Sequence, residues 1–202
     1  MKLRESGMPD QDYWESLLNV PLIVDSFNIG RGIQDVVELG CGYGTFTIPI
    51  AKCISGVMHA FDIDREMTEA TRLRAIDAGL SNVEVEVRDV IGHGFGLPDA
   101  STAVVLLFNI LHCENPVGIL REAARILRPG GRVAVIHWRT DIATPRGPSA
   151  DIRPDASQIA NWAVETGVLS AVGRSLELPP WHYGLDLVRN ETGQVPLPLT
   201  KR

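Results

Sequence analysis

The stretch Val36-Val37-Glu38-Leu39-Gly40-Cys41-Gly42-Tyr43-Gly44-Thr45 constrains this chain more than any other. Two β-branched residues lead to an acidic one, glycines then fall at alternate positions, and the run Phe46-Thr47-Ile48-Pro49-Ile50-Ala51 follows. That order reads as a strand ending in a tight turn that opens a helix. Glycine suits such a turn because, without a Cβ, its backbone adopts positive φ and lets a ligand approach closely. In an open α/β sheet the turn sits at the carboxyl end of the first strand, where ligands bind.

The spacing narrows the ligand. A dinucleotide-binding turn has the pattern G-x-G-x-x-G, its last glycine three places after the second. Here Gly44 follows Gly42 by two places, and Thr45 stands at the dinucleotide position. Glu38 ends the strand just before the turn, where its charge would repel a pyrophosphate. It suits a ligand that carries an ammonium group and no phosphate. The pattern E-x-G-x-G-x-G, met at Glu38, Gly40, Gly42 and Gly44, closely resembles motif I of the class I S-adenosylmethionine-dependent methyltransferases. The resemblance implies S-adenosylmethionine as cofactor, held in part by Glu38, Leu39, Gly40, Cys41, Gly42 and Gly44. A plain structural turn can also carry such glycines, so the next landmarks matter.

Gly56 to Asp64 reads as a second strand ending in an acid, with a helical stretch from Arg65 to Ala78 behind it. An acidic residue there, roughly 20 residues beyond the glycine turn, is placed to accept hydrogen bonds from ribose hydroxyls. Asp62, beside Ile63, is the candidate, and Asp64 suits the N-cap of the following helix. Met67, one turn in, serves either helix packing or an adenine face. The third landmark is Val83-Glu84-Val85-Glu86-Val87-Arg88-Asp89-Val90. Its alternation predicts a half-exposed strand near a sheet edge. In the family that this chain resembles, the strand ends in an Asp that accepts from the adenine amino group, and the next backbone N–H meets a ring nitrogen. Asp89 and Val90 stand at those positions.

Composition bounds the rest. A chain of 202 residues accommodates one domain with a substantial core. A net charge of −6 argues against a surface that tracks nucleic-acid phosphates. The three cysteines, Cys41, Cys53 and Cys113, form no C-x-x-C pair, which suits a reducing compartment and offers no zinc framework. The first residues lack the apolar core of a signal peptide, and the apolar run Ala103 to Phe108 with Ile110 and Leu111 is too short to span a bilayer. The expectation is a cytoplasmic protein with no membrane, nucleic-acid or metal partner and an oligomeric state that the sequence leaves open.

Along the chain, Asp10 to Phe27 is expected to form one or two helices, with Pro21 breaking or restarting them. Strand one is Asp35 to Leu39, with its helix from Gly44 to Ile54. Strand two ends at Asp62 and strand three at Arg88. Ile91 to Asp99 reads as a Gly-rich loop. Strand four, Ala103 to Phe108, is continuously apolar, as befits a central parallel strand. A helix follows from Pro116 to Leu127, its apolar positions at helical spacing. Arg128-Pro129-Gly130-Gly131 is a turn, similar to one that precedes strand five in this family, and Arg132 to Trp138 is strand five. A helix at Ser157 to Thr166 and short strands at Ser175 to Leu178 and Tyr183 to Val188 finish the pattern. Alternating β and α elements predict a doubly wound α/β fold. By resemblance it is a mostly parallel, seven-stranded Rossmann-like methyltransferase fold with N-terminal helices and an antiparallel last strand. The expected organisation is an N-terminal helical segment (1–34), a methyltransferase domain (35–190) and a mobile tail (191–202).

Methyl transfer from a sulfonium is an in-line displacement, so the protein mainly aligns the nucleophile and excludes water. A general base is needed only where the acceptor loses a proton. Phe108 and Asn109, after strand four, are expected at the cofactor, and His112 is either the base or a structural residue. Tyr13, Trp14, His137, Trp138 and Trp181 either line an aromatic acceptor pocket or simply pack. The segment Thr144-Pro145-Arg146-Gly147-Pro148 and the ending Tyr183-Gly184-Leu185 resemble the branch related to quinone-biosynthesis methyltransferases. The function expected from this resemblance is methyl transfer to a small-molecule acceptor. The alternative is a catalytically silent S-adenosylmethionine-binding sensor or partner subunit. An NAD-dependent oxidoreductase is disfavoured by the missing third glycine and by Glu38.

Overall fold

The computed structural model describes residues 7–190. Two short helices, α1 (Gln11–Ser16) and α2 (Val20–Ser26), precede a sheet whose strands alternate with helices. The order is β1 (Val36–Leu39), α3 (Thr47–Ala51), β2 (Met58–Asp62), α4 (Arg65–Asp77), β3 (Val83–Val87), α5 (Val90–His93), β4 (Thr102–Phe108), α6 (Pro116–Ile126) and β5 (Leu127–Trp138). A 3-10 turn (Ala150–Ile152), α7 (Ala156–Glu165), β6 (Leu169–Leu178) and β7 (His182–Arg189) complete it.

The seven strands lie in the order β3-β2-β1-β4-β5-β7-β6. Strands β1 to β5 pair in parallel. Only β7 runs against its neighbours, antiparallel to both β5 and β6. The chain winds outward from β1 to β3, then returns to lay β4 on the other side of β1. A crevice therefore opens beyond the carboxyl ends of β1 and β4, the place where such sheets bind ligands.

Side-chain alternation splits the core between the two faces of the sheet. Val37, Leu39, Val105, Leu107, Val133 and Val135 pack towards α6 and α7, joining Leu120, Ala123 and Ile159. Val36, Val104, Leu106, Ala134 and Ile136 face the other way, onto Ile23, Phe27, Phe46 and Ile50. Every residue of β4 is buried, as its apolar sequence predicts. The Val residues of β3 are at most half-buried at the sheet edge, which matches the alternation read there.

Element boundaries differ from the sequence reading in four places, each for a local reason. The glycine turn runs on to Phe46, so α3 begins at Thr47 rather than Gly44. Helix α6 stops at Ile126 and β5 begins at Leu127 rather than Arg132, because the residues before Pro129 are steered into extended backbone. A register shift between Thr102 and Val104 absorbs the Pro-Gly-Gly segment. Val90–His93 forms a short helix, partly inside the span read as loop, since Asp89 caps it through the Gly92 N–H. Strand β6 begins at Leu169, well before Ser175. A shift between Val172 and Leu176, with Gly173 at φ +73°, makes it a bulged strand whose first half lacks a strand-like sequence. Pro21 starts α2 at its first turn, where proline is tolerated. The expected tail 191–202 lies outside the described residues. Among the described residues no helix is long and apolar enough to cross a membrane.

Candidate active site

A cavity of about 450 Å³ opens over the carboxyl ends of β1, β2, β3 and β4. Glu38 to Gly42 form its floor, Asp62 and Ile63 one flank, and Asp89 and Val90 the next. Phe108, Asn109 and His112 stand opposite, and Trp14, Trp138 and Arg146 close the far end.

The glycine turn is held to the end of β2 by backbone and side chain together. The N–H groups of Gly40 and Cys41 both donate to the Phe61 carbonyl, at 2.7 and 3.1 Å. The Gly42 N–H donates to Asp62 Oδ2 at 2.9 Å, and Thr71 Oγ1 donates to the Gly42 carbonyl at 2.8 Å. Gly40 has φ +81°, and a Cβ there would stand 2.7 Å from Ile110 Cδ1, against the cavity wall. Only glycine keeps the floor low enough for a ligand to lie on backbone.

Two carboxylates, Glu38 on the floor and Asp62 on the flank, line the cavity with no ion-pair partner among the described residues. Glu38 is 2 % exposed, and Thr47 Oγ1 donates to its Oε2 at 2.5 Å. Burial pushes its pKa up to about 8, against the pull of the Thr47 hydrogen bond, and the nearby Asp62 adds to the rise. Asp62 is 5 % exposed, and its Oδ1 accepts from the Asp64 N–H at 3.0 Å. Burial raises its pKa as well, opposed by the backbone N–H groups it binds. A buried carboxylate without a cation is costly, and a ligand that brings positive charge and hydroxyls would relieve that cost. The same burial and carboxylates push the Cys41 thiol up, which keeps it from acting as a nucleophile.

At the β3 flank, Asp89 Oδ1 accepts from the Gly92 N–H at 3.0 Å. Val90 opens α5, where first-turn N–H groups lack a partner within the helix. Arg88 also lines the cavity, tied to Glu86 at 2.8 Å and to the Gly94 carbonyl at 2.6 Å.

The roof comes from the N-terminal segment. Tyr43 Oη donates to the Pro9 carbonyl at 2.8 Å, Arg146 donates to the Gly7 carbonyl, and Arg74 pairs with Glu15 at 2.6 Å. These ties bring Met8 and Trp14 over the glycine turn, Trp14 edge-on to Trp138 with ring centroids 6.5 Å apart. Opposite, Asn109 ends β4 at φ +59° and shares a 3.5 Å contact through Nδ2 with His182 Nε2. His112 Nδ1 lies 3.3 Å from His137 Nε2.

Most of the residues expected at the site from sequence line this one cavity: Glu38, Leu39, Gly40, Cys41, Gly42, Asp62, Ile63, Asp89, Val90, Phe108, Asn109, His112, Trp14 and Trp138. Five do not. Gly44 (φ +74°) packs beside Thr71, 3.1 Å from where its Cβ would be, so it shapes the turn behind the wall. Met67 is buried on α4, Tyr13 is 43 % exposed, and Trp181 lies in the bend between β6 and β7. His137 is fully buried behind His112. Sequence reasoning did not assign Met8, Thr45, Phe46, Ile110 or Arg146 to the site. Only the Thr144 to Pro148 segment carried a signal for one of them. Among the described residues no His, Cys, Asp and Glu cluster suits a metal ion.

Comparison with known proteins bears on the domain and its fold. Residues 36–131 match the family described as methyltransferase domain. The chain is 34% identical over 104 residues to an aklanonic acid methyltransferase of a Streptomyces species, which covers 50% of this chain and 46% of that protein. A crystal structure of an S-adenosylmethionine-dependent methyltransferase from Aquifex aeolicus superposes with a TM-score of 0.77 at 22% identity, over 89% of this chain and 94% of that one. The [4+2]-cyclase SpnF superposes at 0.72 and 15% identity, over 92% and 84%, so the fold alone does not fix the reaction. The chain spans about half the length of the curated relatives it matches. Residues 36–131 thus match a methyltransferase domain, and the seven-stranded sheet has the fold of the solved S-adenosylmethionine-dependent methyltransferase from Aquifex aeolicus.

Proposed function

We propose that this protein transfers the methyl group of S-adenosylmethionine to a small-molecule acceptor. The observation that carries the reading is the convergence of Glu38, Asp62, Asp89 and Asn109, from the ends of four adjacent strands, on one cavity. Glu38 would face the cofactor's ammonium group, Asp62 its ribose hydroxyls, and Asp89 with the Val90 N–H its adenine edge. The glycine backbone from Gly40 to Gly42 would carry the chain between them. The buried, cation-free state of both carboxylates fits that ligand and does not fit a pyrophosphate.

When bound, the cofactor supplies a sulfonium methyl with a neutral thioether as leaving group. The protein's share is alignment and exclusion of water. Trp14 and Trp138 would hold a planar acceptor, Phe108 and Asn109 would limit its approach to the methyl group, and His112 would receive a proton from the acceptor. The Met8 and Trp14 roof would keep the reacting atoms dry. The modest cavity favours a small acceptor over a macromolecule. The small-molecule substrate in the name of the aklanonic acid relative points the same way.

Incubation with methyl-labelled S-adenosylmethionine and a panel of small phenols, enols and amines tests the reading. Label should pass to at least one class of acceptor, with S-adenosylhomocysteine formed in equal amount. Tight cofactor binding with no transfer to any acceptor would instead favour a silent cofactor-binding protein.

A further inference from the structure

His137 occupies an unusual position. It is fully buried on β5, one residue before the strand's end, and faces the ring of His112 edge-on with centroids 5.4 Å apart at 78°. Its Nε2 meets His112 Nδ1 at 3.3 Å. A hydrogen bond between two neutral imidazoles allows only one arrangement at a time: one nitrogen donates, the other accepts, and each ring's remaining nitrogen takes the opposite state. The tautomer of His112 is therefore coupled to that of His137.

Three polar atoms in this corner have no partner among the described residues: Asn109 Oδ1, His112 Nε2 and His137 Nδ1. Asn109 and His112 both line the cavity, whereas His137 does not. Native structures rarely leave buried polar atoms unpaired. Asn109 Oδ1 can only accept, so the wall already asks for a ligand that donates. Both rings stay neutral near pH 7. Burial pushes His137 down to about 3, and the neighbouring His112, His182 and Arg153 add to this. Burial lowers His112 as well. Two arrangements satisfy the contact; in the one that leaves a lone pair on the cavity-side His112 Nε2, His112 Nδ1–H donates and His137 carries its own proton on Nδ1.

We propose that His137 is a positioning residue that accepts from His112 Nδ1–H and so fixes the His112 lone pair on Nε2, ready to take a proton from a phenolic or enolic O–H of the acceptor. This inference rests on the methyl-transfer reading above. In the step it describes, the acceptor's O–H bond breaks and its proton moves to His112 Nε2. The oxygen's electron pair forms the new O–C bond, while the S–C bond of S-adenosylmethionine breaks with its pair left on sulfur. Asn109 Oδ1 accepts a second donor of the acceptor, and His112 later releases its proton to solvent.

Two-bond proton–nitrogen correlation spectra of ¹⁵N-labelled protein, with S-adenosylhomocysteine added, read the tautomer directly. His112→Gln assigns the signals. The expected result is an Nδ1–H tautomer for His112 in the unmodified chain and in His137→Gln, whose amide oxygen still accepts. In His137→Leu it should shift towards the Nε2–H form. In the label-transfer assay phenols or enols should be the active acceptors. Turnover should fall at least ten-fold in His137→Leu and recover in part in His137→Gln, with the KM for S-adenosylmethionine unchanged. An Nε2–H tautomer in the unmodified chain would overturn the proposal, as would a tautomer indifferent to both substitutions. So would label transfer to thiols or carboxylates alone. If His137→Leu does not fold, the unmodified chain and His137→Gln still decide. Calorimetry with S-adenosylhomocysteine separates failure of the cofactor reading from failure of this one, because the tautomer is read whether or not the cofactor binds.

Discussion

The backbone N–H of Gly42 donates to Oδ2 of Asp62 at 2.9 Å, across the gap between the glycine turn and the end of β2. One carboxylate thus sets the height of the turn and also lines the cavity. Its other oxygen takes the Asp64 N–H at the start of α4, so three neighbouring elements are tied through one side chain. Each oxygen keeps a lone pair for a ligand hydroxyl.

Asp62→Ala should therefore do two things at once. Cofactor affinity should fall by about 1–3 kcal/mol, the worth of a hydrogen bond to a charged group. Stability should also drop by about 1–3 kcal/mol, because the Gly42 and Asp64 N–H groups lose their acceptor. Denaturant unfolding of the free protein separates the second effect from the first. An unchanged midpoint would mean that the turn does not depend on Asp62.

Glu38→Gln should stabilise the free fold at alkaline pH while weakening cofactor binding. The Glu38 pKa is raised from its ordinary value of 4.5 to about 8 on folding. Between those values the folded chain holds a proton that the unfolded chain has released, so stability falls as pH rises, by about 1.4 kcal/mol per unit at most. Glutamine has no such slope. The difference between variant and unmodified chain, measured by unfolding at pH 5, 7 and 8.5, should grow with pH and level off above about 8. A constant difference would show that Glu38 is ionised throughout.

Cofactor binding should release protons. Below pH 8 Glu38 is largely protonated in the free chain, and an ammonium group placed beside it favours the carboxylate. Titration at pH 7 in buffers of different ionisation enthalpy should report a release of up to about one proton, absent in Glu38→Gln. Equal heats in all buffers would place the ammonium elsewhere.

Gly40→Ala tests whether the floor must be bare backbone. Its φ of +81° costs a Cβ-bearing residue roughly 1–2 kcal/mol, and the new Cβ would press on Ile110 at the cavity wall. Affinity should fall at least about ten-fold, or 1.4 kcal/mol. Gly130→Ala, at φ +73° but with open space around it, should cost comparable stability and leave binding intact.

The sequence made β1, β2 and β3 legible because each is a compact apolar or alternating run closed by an acid or a glycine, and β4 because it is continuously apolar. Glu38, Asp62 and Asp89 could be found for the same reason: each sits at a strand end, where position along the chain is also position at the cavity. The rest depends on contacts between distant segments. Met8 reaches the floor only because Tyr43 and Arg146 hold residues Gly7 and Pro9 over it, and no local pattern announces that. His137 was expected in the pocket from its place at a strand end. The side-chain alternation of β5 turns it inward instead, behind His112. The first half of β6 escaped notice because its bulge at Gly173 and its small, exposed residues leave no periodic signal.

Calorimetric titration of the purified chain with S-adenosylmethionine and, separately, S-adenosylhomocysteine tests the central claim most directly, with NAD as control. Micromolar binding of both, about −8 kcal/mol, with NAD inert, is the predicted result. Absence of binding by either would mean that the Glu38 floor and the glycine turn serve the fold alone, and the methyl-transfer account would fall.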